Sequence, residues 1–254
     1  MIKAVHEDLL HCGVMDVEVM LKKLYSRPRM TEDIKRVISA CDNNACECNR
    51  ASVSPFTASS PRRLATGKWV CVACDVFHYE KLPILSVIDE YSRFACLYIL
   101  SEERAVLALQ ALQQIFEIPF LGYPLYLRSD RGIFTSLREP LKNLGVLLIL
   151  TSGHRPQANG IVERLHYTLR LRLATLSKDL LLSDRLKTVI NAYNRCPHSS
   201  LNGVSPAESL SGRSIRTRFC IPVKVPSPEV PANMITFQKG QLVWLLKPQA
   251  DRRA

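Results

Sequence analysis

Three carboxylates of this chain stand at the ends of segments that have the patterns of strands or helices. Asp75 closes a β-rich run in WVCVACDVF, Asp130 follows another in LYLRSDRGIF, and Glu163 lies in the first turn of a predicted helix in ANGIVERLHYTLR. Carboxylates that converge without cations raise one another's pKa, and their oxygens are the ligands that Mg²⁺ and Mn²⁺ prefer. Together the three predict a site for a pair of divalent cations, whereas each one alone is more typical of a surface or capping carboxylate.

A second set of metal-ligand types lies near the N-terminus. Four residues separate His6 from His11, and four separate Cys41 from Cys46. Such short spacings let one segment offer two ligands to a tetrahedral Zn²⁺, which would help to stabilise a segment too small to bury a large core. The spacing predicts a zinc site of His6, His11, Cys41 and Cys46, with Cys48 as the alternative fourth ligand. The competing interpretation is that His6 is an incidental exposed residue and that the cysteines are scattered reduced thiols.

The segments that must position the carboxylates follow a definite order. Three β-rich runs in quick succession favour an antiparallel meander, and two later runs alternate with helical patterns, which requires crossovers and parallel pairing. This order predicts an RNase H-like α/β fold, a mixed five-stranded sheet with flanking helices, in which the first and fourth strands are neighbours and carry Asp75 and Asp130. The predicted strands are 70–77, 84–91, 94–100, 125–127 and 146–151, and the predicted helices are 103–116, 136–144, 160–176 and 183–193.

Changes in composition divide the chain into four parts. Residues 1–50 form a small helical module with two short helices between its His and Cys pairs, the second capped by Thr31. Residues 51–66 have the Ser, Thr and Pro content of a linker. Residues 67–212 hold the predicted α/β core, and residues 213–254 form a basic tail.

The net charge and the hydropathy of the chain indicate which kinds of binding partner to expect. The chain has 34 Lys and Arg against 23 Asp and Glu, a net charge of +11, which favours a polyanion such as nucleic acid. Its longest apolar run is too short to span a bilayer, and its first residues do not resemble a signal peptide, so no membrane partner is expected. The odd total of nine cysteines favours reduced thiols in an intracellular protein. Six of them are predicted to be small buried side chains: Cys12, Cys71, Cys74, Cys96, Cys196 and Cys220.

The strings VIDEYSRF, SDRG and HRPQANGIVER, in this order, resemble the core of a retroviral-type integrase, and in particular that of gypsy-type LTR retrotransposons. NAYNRCPHSSLNGVSPAESL resembles the segment that follows in that family. The resemblance implies a polynucleotidyl transferase and endonuclease that trims the 3′ ends of element DNA and joins them to target DNA. It carries over Asp75, Asp130 and Glu163 as catalytic ligands of Mg²⁺ or Mn²⁺, and residues 1–50 as the family's zinc module.

The same resemblance implies double-stranded DNA as partner, a homo-oligomer and, because the substrate is there, the nucleus. On the predicted helix after residue 160, Tyr167 and Arg170 follow Glu163 at helical spacing, so the three share a face on which Arg170 could hold a phosphate. The opposite side of this helix is predicted to be buried and carries Leu165, Leu169, Leu173 and Leu176. An arginine that solvates an exposed face is an equally good interpretation. The remaining candidate DNA contacts are Arg164 and, from the loop before the helix, His154, Gln157 and Asn159.

Three departures from the family pattern support an alternative function. The 32 residues between Asp130 and Glu163 are fewer than the family usually has, and the four residues between Cys41 and Cys46 are more. The tail begins like the family's SH3-like C-terminal domain but is truncated. These departures favour a catalytically inactive or domesticated integrase-derived protein that binds nucleic acid, whereas the retention of all three carboxylates favours an enzyme.

Overall fold

The computed structural model describes residues 1–41, 65–151 and 160–216. The first of these ranges folds into three helices that bury a small apolar cluster, which includes Val17, Leu21 and Ile34. The helices are α1 (Ile2–Asp8), α2 (Val14–Lys22) and α3 (Met30–Ser39). The two helices predicted between the His and Cys pairs are therefore α2 and α3.

The predicted cap of α3 is wrong. The helix begins two residues earlier than a Thr31 cap predicts, with Arg29 in the left-handed conformation (φ 58°) at the N-cap position. Thr31 lies within the first turn, where its hydroxyl donates to Glu18 Oε1 at 2.8 Å. The Thr31 side chain thus joins two helices instead of capping one.

The core is built on a five-stranded sheet with strand order β3-β2-β1-β4-β5. Its strands are β1 (Cys71–Tyr79), β2 (Leu82–Asp89), β3 (Ala95–Ile99), β4 (Tyr126–Ser129) and β5 (Leu147–Leu150). The first three pair antiparallel, and β4 pairs parallel with both β1 and β5. This arrangement confirms the predicted RNase H-like mixed sheet, including the adjacency of the first and fourth strands.

Helices cover both faces of the sheet. They are α4 (Ala105–Phe116), α5 (Arg138–Asn143), α6 (Gly160–Leu173), α7 (Leu182–Arg195) and α8 (Pro206–Ser211). Alternate residues of β1 point to opposite faces, so Val72 and Cys74 pack with α4 and α5, whereas Ala73 and Phe77 pack with α6 and α7. The helix predicted over 136–144 is preceded by a 3₁₀ turn (Ile133–Leu137), and only its second part is α-helical.

The outer edge of β3 is closed by a side chain. Asn194 of α7 accepts from the Ala95 amide at 2.9 Å and donates to the Ala95 carbonyl at 2.8 Å. These two bonds satisfy backbone groups that an edge strand would otherwise leave without a partner strand. Asn194 therefore fastens α7 to the sheet.

The N-terminal helices belong to the same compact unit as the described residues of the core and pack directly on it. Leu10 is buried with Phe77 and Tyr193 of the core, and Cys196 is buried with the N-terminal apolar cluster. The predicted division at residues 50 and 67 stays a prediction, since residues 42–64 lie outside the described ranges. In those ranges, no helix has the length and apolar character needed to cross a membrane.

Candidate active site and candidate metal centre

Asp75 lies in the middle of β1, so the expectation that it closes the strand is wrong. It shares a sheet face with Ala73 and Phe77, which places it under α6. The amide of Val76 donates to Asp75 Oδ1 at 2.9 Å. About a quarter of the Asp75 side chain, 26%, stays exposed, so the carboxylate is sunk into the sheet but remains accessible.

Two other carboxylates act on Asp75. Burial and, next in size, the charge of Asp130 raise the pKa of Asp75 to about 6, and the charge of Glu163 contributes a smaller part of this shift. The hydrogen bond from Val76 opposes the shift. The structure thus brings the three predicted residues into one electrostatic neighbourhood, in which the negative charges are unfavourable unless cations balance them.

Asp130 directly follows β4, the parallel neighbour of β1, as predicted. Its carboxylate lies close above Gly132, where an added Cβ would meet Oδ1 at 3.3 Å. Such a contact is tighter than most Cβ atoms tolerate, so the absence of a side chain at residue 132 leaves room for the Asp130 carboxylate. Unlike the His–Cys cluster below, the three carboxylates are not gathered within 4.8 Å in the described structure.

Glu163 lies in the first turn of α6 and is exposed. Tyr167 and Arg170 are also exposed, whereas Leu165, Leu169 and Leu173 of the same helix are buried. The predicted two-faced character of this helix is therefore confirmed. The Arg170 guanidinium lies 5.7 Å from the centre of the Phe77 ring, a cation–π contact that holds it above the strand that carries Asp75.

Sequence reasoning missed two side chains next to Asp75. His166 Nδ1 lies 3.9 Å from Asp75 Oδ2, and His166 Nε2 lies 2.6 Å from the hydroxyl of Ser86. Burial, together with the nearby Arg170 charge, lowers the pKa of His166 to about 4, so the ring is neutral at pH 7. The available signal was the position of His166, three residues after Glu163 and hence on a neighbouring part of the helix surface.

Three of the four predicted zinc ligands meet in the N-terminal helices. The ligand atoms of His6, His11 and Cys41 all lie within 4.8 Å of one another. His11 Nδ1 is 3.2 Å from His6 Nε2 and 3.3 Å from Cys41 Sγ. His6 is buried, so the interpretation of it as an incidental exposed residue is wrong.

The environment of the two histidines suits a metal. His6 Nδ1 lies 3.0 Å from the Cys12 carbonyl oxygen, and donation of the Nδ1 proton to that oxygen leaves the Nε2 lone pair facing His11 and Cys41. Histidine ligands of metals commonly have their second nitrogen bonded in this way. Burial lowers the pKa of both histidines, which favours the neutral form that a metal requires.

Several predicted residues lie outside the described ranges: Cys46, Cys48, His154, Gln157, Asn159 and the tail after residue 216. Of the cysteines that were expected to be small buried side chains, Cys12, Cys71, Cys74 and Cys196 are buried and Cys96 is half-buried.

The chain is similar to several known proteins. Residues 144–206 match the family described as Integrase core domain. An uncharacterized protein of Caenorhabditis elegans is 26% identical over 87% of this chain and 17% of its own length. The retrovirus-related Pol polyprotein from transposon 297 of Drosophila melanogaster is 28% identical over 80% of this chain and 19% of its own length. Residues 144–206 of this chain thus resemble an integrase core domain, and the chain is similar to retrotransposon and retroviral Pol polyproteins.

A solved structure is also similar to this chain. The catalytic core domain of bovine immunodeficiency virus integrase matches 57% of this chain and 95% of its own, with 26% identity and a TM-score of 0.48. The chain spans only about a fifth of the length of the two relatives above.

Proposed function

We propose that this chain catalyses DNA integration: it trims the 3′ ends of retroelement DNA and joins them to target DNA. The observation that carries the proposal is the arrangement of the carboxylates. Asp75 lies on β1, Asp130 directly follows the adjacent parallel strand β4, and Glu163 lies in the first turn of α6. The charges of Asp130 and Glu163 raise the pKa of Asp75. Three carboxylates that lie near one sheet surface and disfavour the charge of Asp75 form a site suited to divalent cations.

Integrase core domains generally use divalent metals, and the donor set here fits Mg²⁺ or Mn²⁺, because all three side chains offer carboxylate oxygens. Asp75, Asp130 and Glu163 would hold the ions. The chemistry that two such ions supply is activation of the attacking water or 3′-hydroxyl and stabilisation of the leaving oxygen in phosphodiester transesterification. The chain itself contributes position: β1 and β4 hold two carboxylates rigidly, and α6 brings the third.

The exposed face of α6 supplies the proposed DNA contacts. Arg170, held over Phe77, is placed to bind a backbone phosphate beside the carboxylates, and Tyr167 offers an exposed ring for stacking. Arg164 is also exposed next to Glu163. His154, Gln157 and Asn159 remain proposed contacts from the segment that precedes this helix.

The N-terminal helices would hold Zn²⁺ through His6, His11 and Cys41, with Cys46 or Cys48 as the fourth ligand. The convergence of the first three supports this assignment, and two neutral imidazoles and a cysteine thiolate are ligands that Zn²⁺ accepts. We further propose that the protein is of the gypsy type, works as a homo-oligomer on double-stranded DNA, and acts in the nucleus.

A branched-DNA assay tests the enzyme function. The substrate mimics the joined product and is resolved in the presence of Mg²⁺ or Mn²⁺, so it places little demand on end sequence or on the C-terminal segment. The matched control is Glu163→Gln, which keeps the side-chain shape and removes the charge. We expect cleavage and rejoining by the wild type, and their loss in the control.

A wild type that gives no product would support the alternative function, a protein that binds nucleic acid without catalysis. If well-folded, zinc-loaded wild type gives no product with either metal, the chain is an integrase-derived nucleic-acid-binding protein without catalysis. DNA binding that survives Glu163→Gln, measured in the same preparations, separates loss of chemistry from loss of substrate.

A further inference from the structure

His166 links three elements at one point. Its helix, α6, carries Glu163; its Nε2 contacts Ser86 of β2 at 2.6 Å; and its Nδ1 faces Asp75 of β1 at 3.9 Å. The ring also packs against Phe77, with a distance of 4.4 Å between the ring centres. The side chain is therefore fixed on two sides, and its remaining polar atom faces the carboxylate.

The Ser86 hydroxyl decides which nitrogen of His166 carries the proton. Ser86 is the direct cross-strand partner of Asp75. Its hydroxyl has one proton and two acceptors in reach, the Asp75 carbonyl oxygen at 3.1 Å and His166 Nε2 at 2.6 Å. Donation along the shorter contact makes Nε2 the acceptor, which leaves the proton of the neutral ring on Nδ1, the atom that faces Asp75 Oδ2.

We propose that His166 is a positioning residue: its Nδ1–H, 3.9 Å from Asp75 Oδ2 and so beyond hydrogen-bond distance, orients the carboxylate by electrostatic attraction, and Ser86 sets the tautomer that makes this possible. The inference rests on the proposed function, because it assigns to Asp75 the role of a metal ligand. Partners that orient a ligand from behind are a general feature of metal sites, and their loss costs about 10–100-fold in metal affinity or activity. His166 also couples α6 to β1, so the same contact relates the position of Glu163 to that of Asp75.

Two amide variants separate this role from a merely structural one. The amide nitrogen of an asparagine falls close to the place of Nδ1, whereas that of a glutamine reaches the place of Nε2. Mn²⁺ affinity of the full chain is measured by titration for His166→Ala, His166→Asn and His166→Gln, alongside kcat and the KM for metal in the branched-DNA assay. Asp75→Asn serves as the reference for a lost ligand, and His198→Asn as the control for changing a half-buried histidine elsewhere.

We expect His166→Ala and His166→Gln to weaken Mn²⁺ binding by about 10–100-fold, and His166→Asn to restore it close to the wild-type value. Ser86→Ala should weaken binding in the wild type but not in His166→Asn, which has no tautomer to set. If His166→Gln restores binding and His166→Asn does not, the role is structural through Ser86 and the proposal is wrong. Equal Mn²⁺ affinity in all three variants also overturns it, provided that Asp75→Asn has lost affinity.

The reference variant keeps the two proposals distinguishable. If Asp75→Asn binds Mn²⁺ and resolves branched DNA as the wild type does, the carboxylate site itself is wrong, and the positioning role is wrong with it. Free energies of unfolding for every variant show whether a loss of binding reflects loss of the fold.

Discussion

Asp75→Asn should stabilise the metal-free protein at neutral pH, although it removes a residue that we place in the active site. In the folded state the pKa of Asp75 is raised from 3.8 to about 6, chiefly by burial and by the charge of Asp130. The folded state therefore binds the Asp75 proton more tightly than the unfolded state does. This contribution to stability is fully present below about pH 4 and is lost as the pH rises through 6.

The size of the effect follows from the shift. The rise of the Asp75 pKa from 3.8 to about 6 corresponds to about 3 kcal/mol. At pH 7 the ionised carboxylate lowers the free energy of unfolding by this amount. Asparagine has nearly the same shape and no charge, so the variant should recover most of this amount. Relative to Asp75→Asn, the wild type should lose about 3 kcal/mol between pH 4 and pH 6, and the difference should stay constant above that range.

The measurement is urea unfolding at several pH values from 4 to 8. The protein is first loaded with zinc, and a chelator that leaves this zinc bound removes Mg²⁺ and Mn²⁺ from the solution. Glu117→Gln, which changes an exposed carboxylate at the end of α4, is the matched control and should leave the pH profile unchanged. Adding Mg²⁺ or Mn²⁺ at pH 7.5 should stabilise the wild type and not Asp75→Asn, because only a protein that binds the ion gains from it. A wild type that is equally stable or more stable than the variant throughout this range would refute the reasoning.

Three further predictions concern the remaining contacts. His11→Ala should abolish stoichiometric zinc binding, measured by metal analysis after dialysis, and should make the melting temperature insensitive to a zinc chelator; a variant that retains zinc would contradict the predicted ligand set. Asn194→Ala should lower the free energy of unfolding by about 1–3 kcal/mol, because it leaves the backbone groups of Ala95 without their partner at a buried edge; a loss near zero would mean that water replaces the side chain. Arg170→Ala should weaken DNA binding in low salt and should reduce the slope of log affinity against log salt concentration by about one unit. An unchanged slope would show that Arg170 only solvates the helix.

Much of the fold could be predicted because its signals are local. Three closely spaced β-rich runs allow little besides an antiparallel meander, and later strands separated by helices must pair parallel. The spacing of Leu165, Leu169 and Leu173 gave the buried side of α6 from helical periodicity alone. The ends of helices and strands were predicted less accurately. Arg29, and not Thr31, precedes α3, and the Thr31 hydroxyl donates instead to Glu18 on another helix.

The amino-acid sequence by itself determined which side chains we propose for the chemistry and their order along the chain: Asp75, Asp130 and Glu163, with a His and Cys set before them. Only the tertiary structure decided how deep each one lies and what touches it. Asp75 sits in mid-strand, and His166 reaches Ser86 from 80 residues away. Periodicity predicts which face of a helix or strand a residue occupies. The residues that it contacts on that face depend on how distant segments pack, which no local sequence pattern specifies.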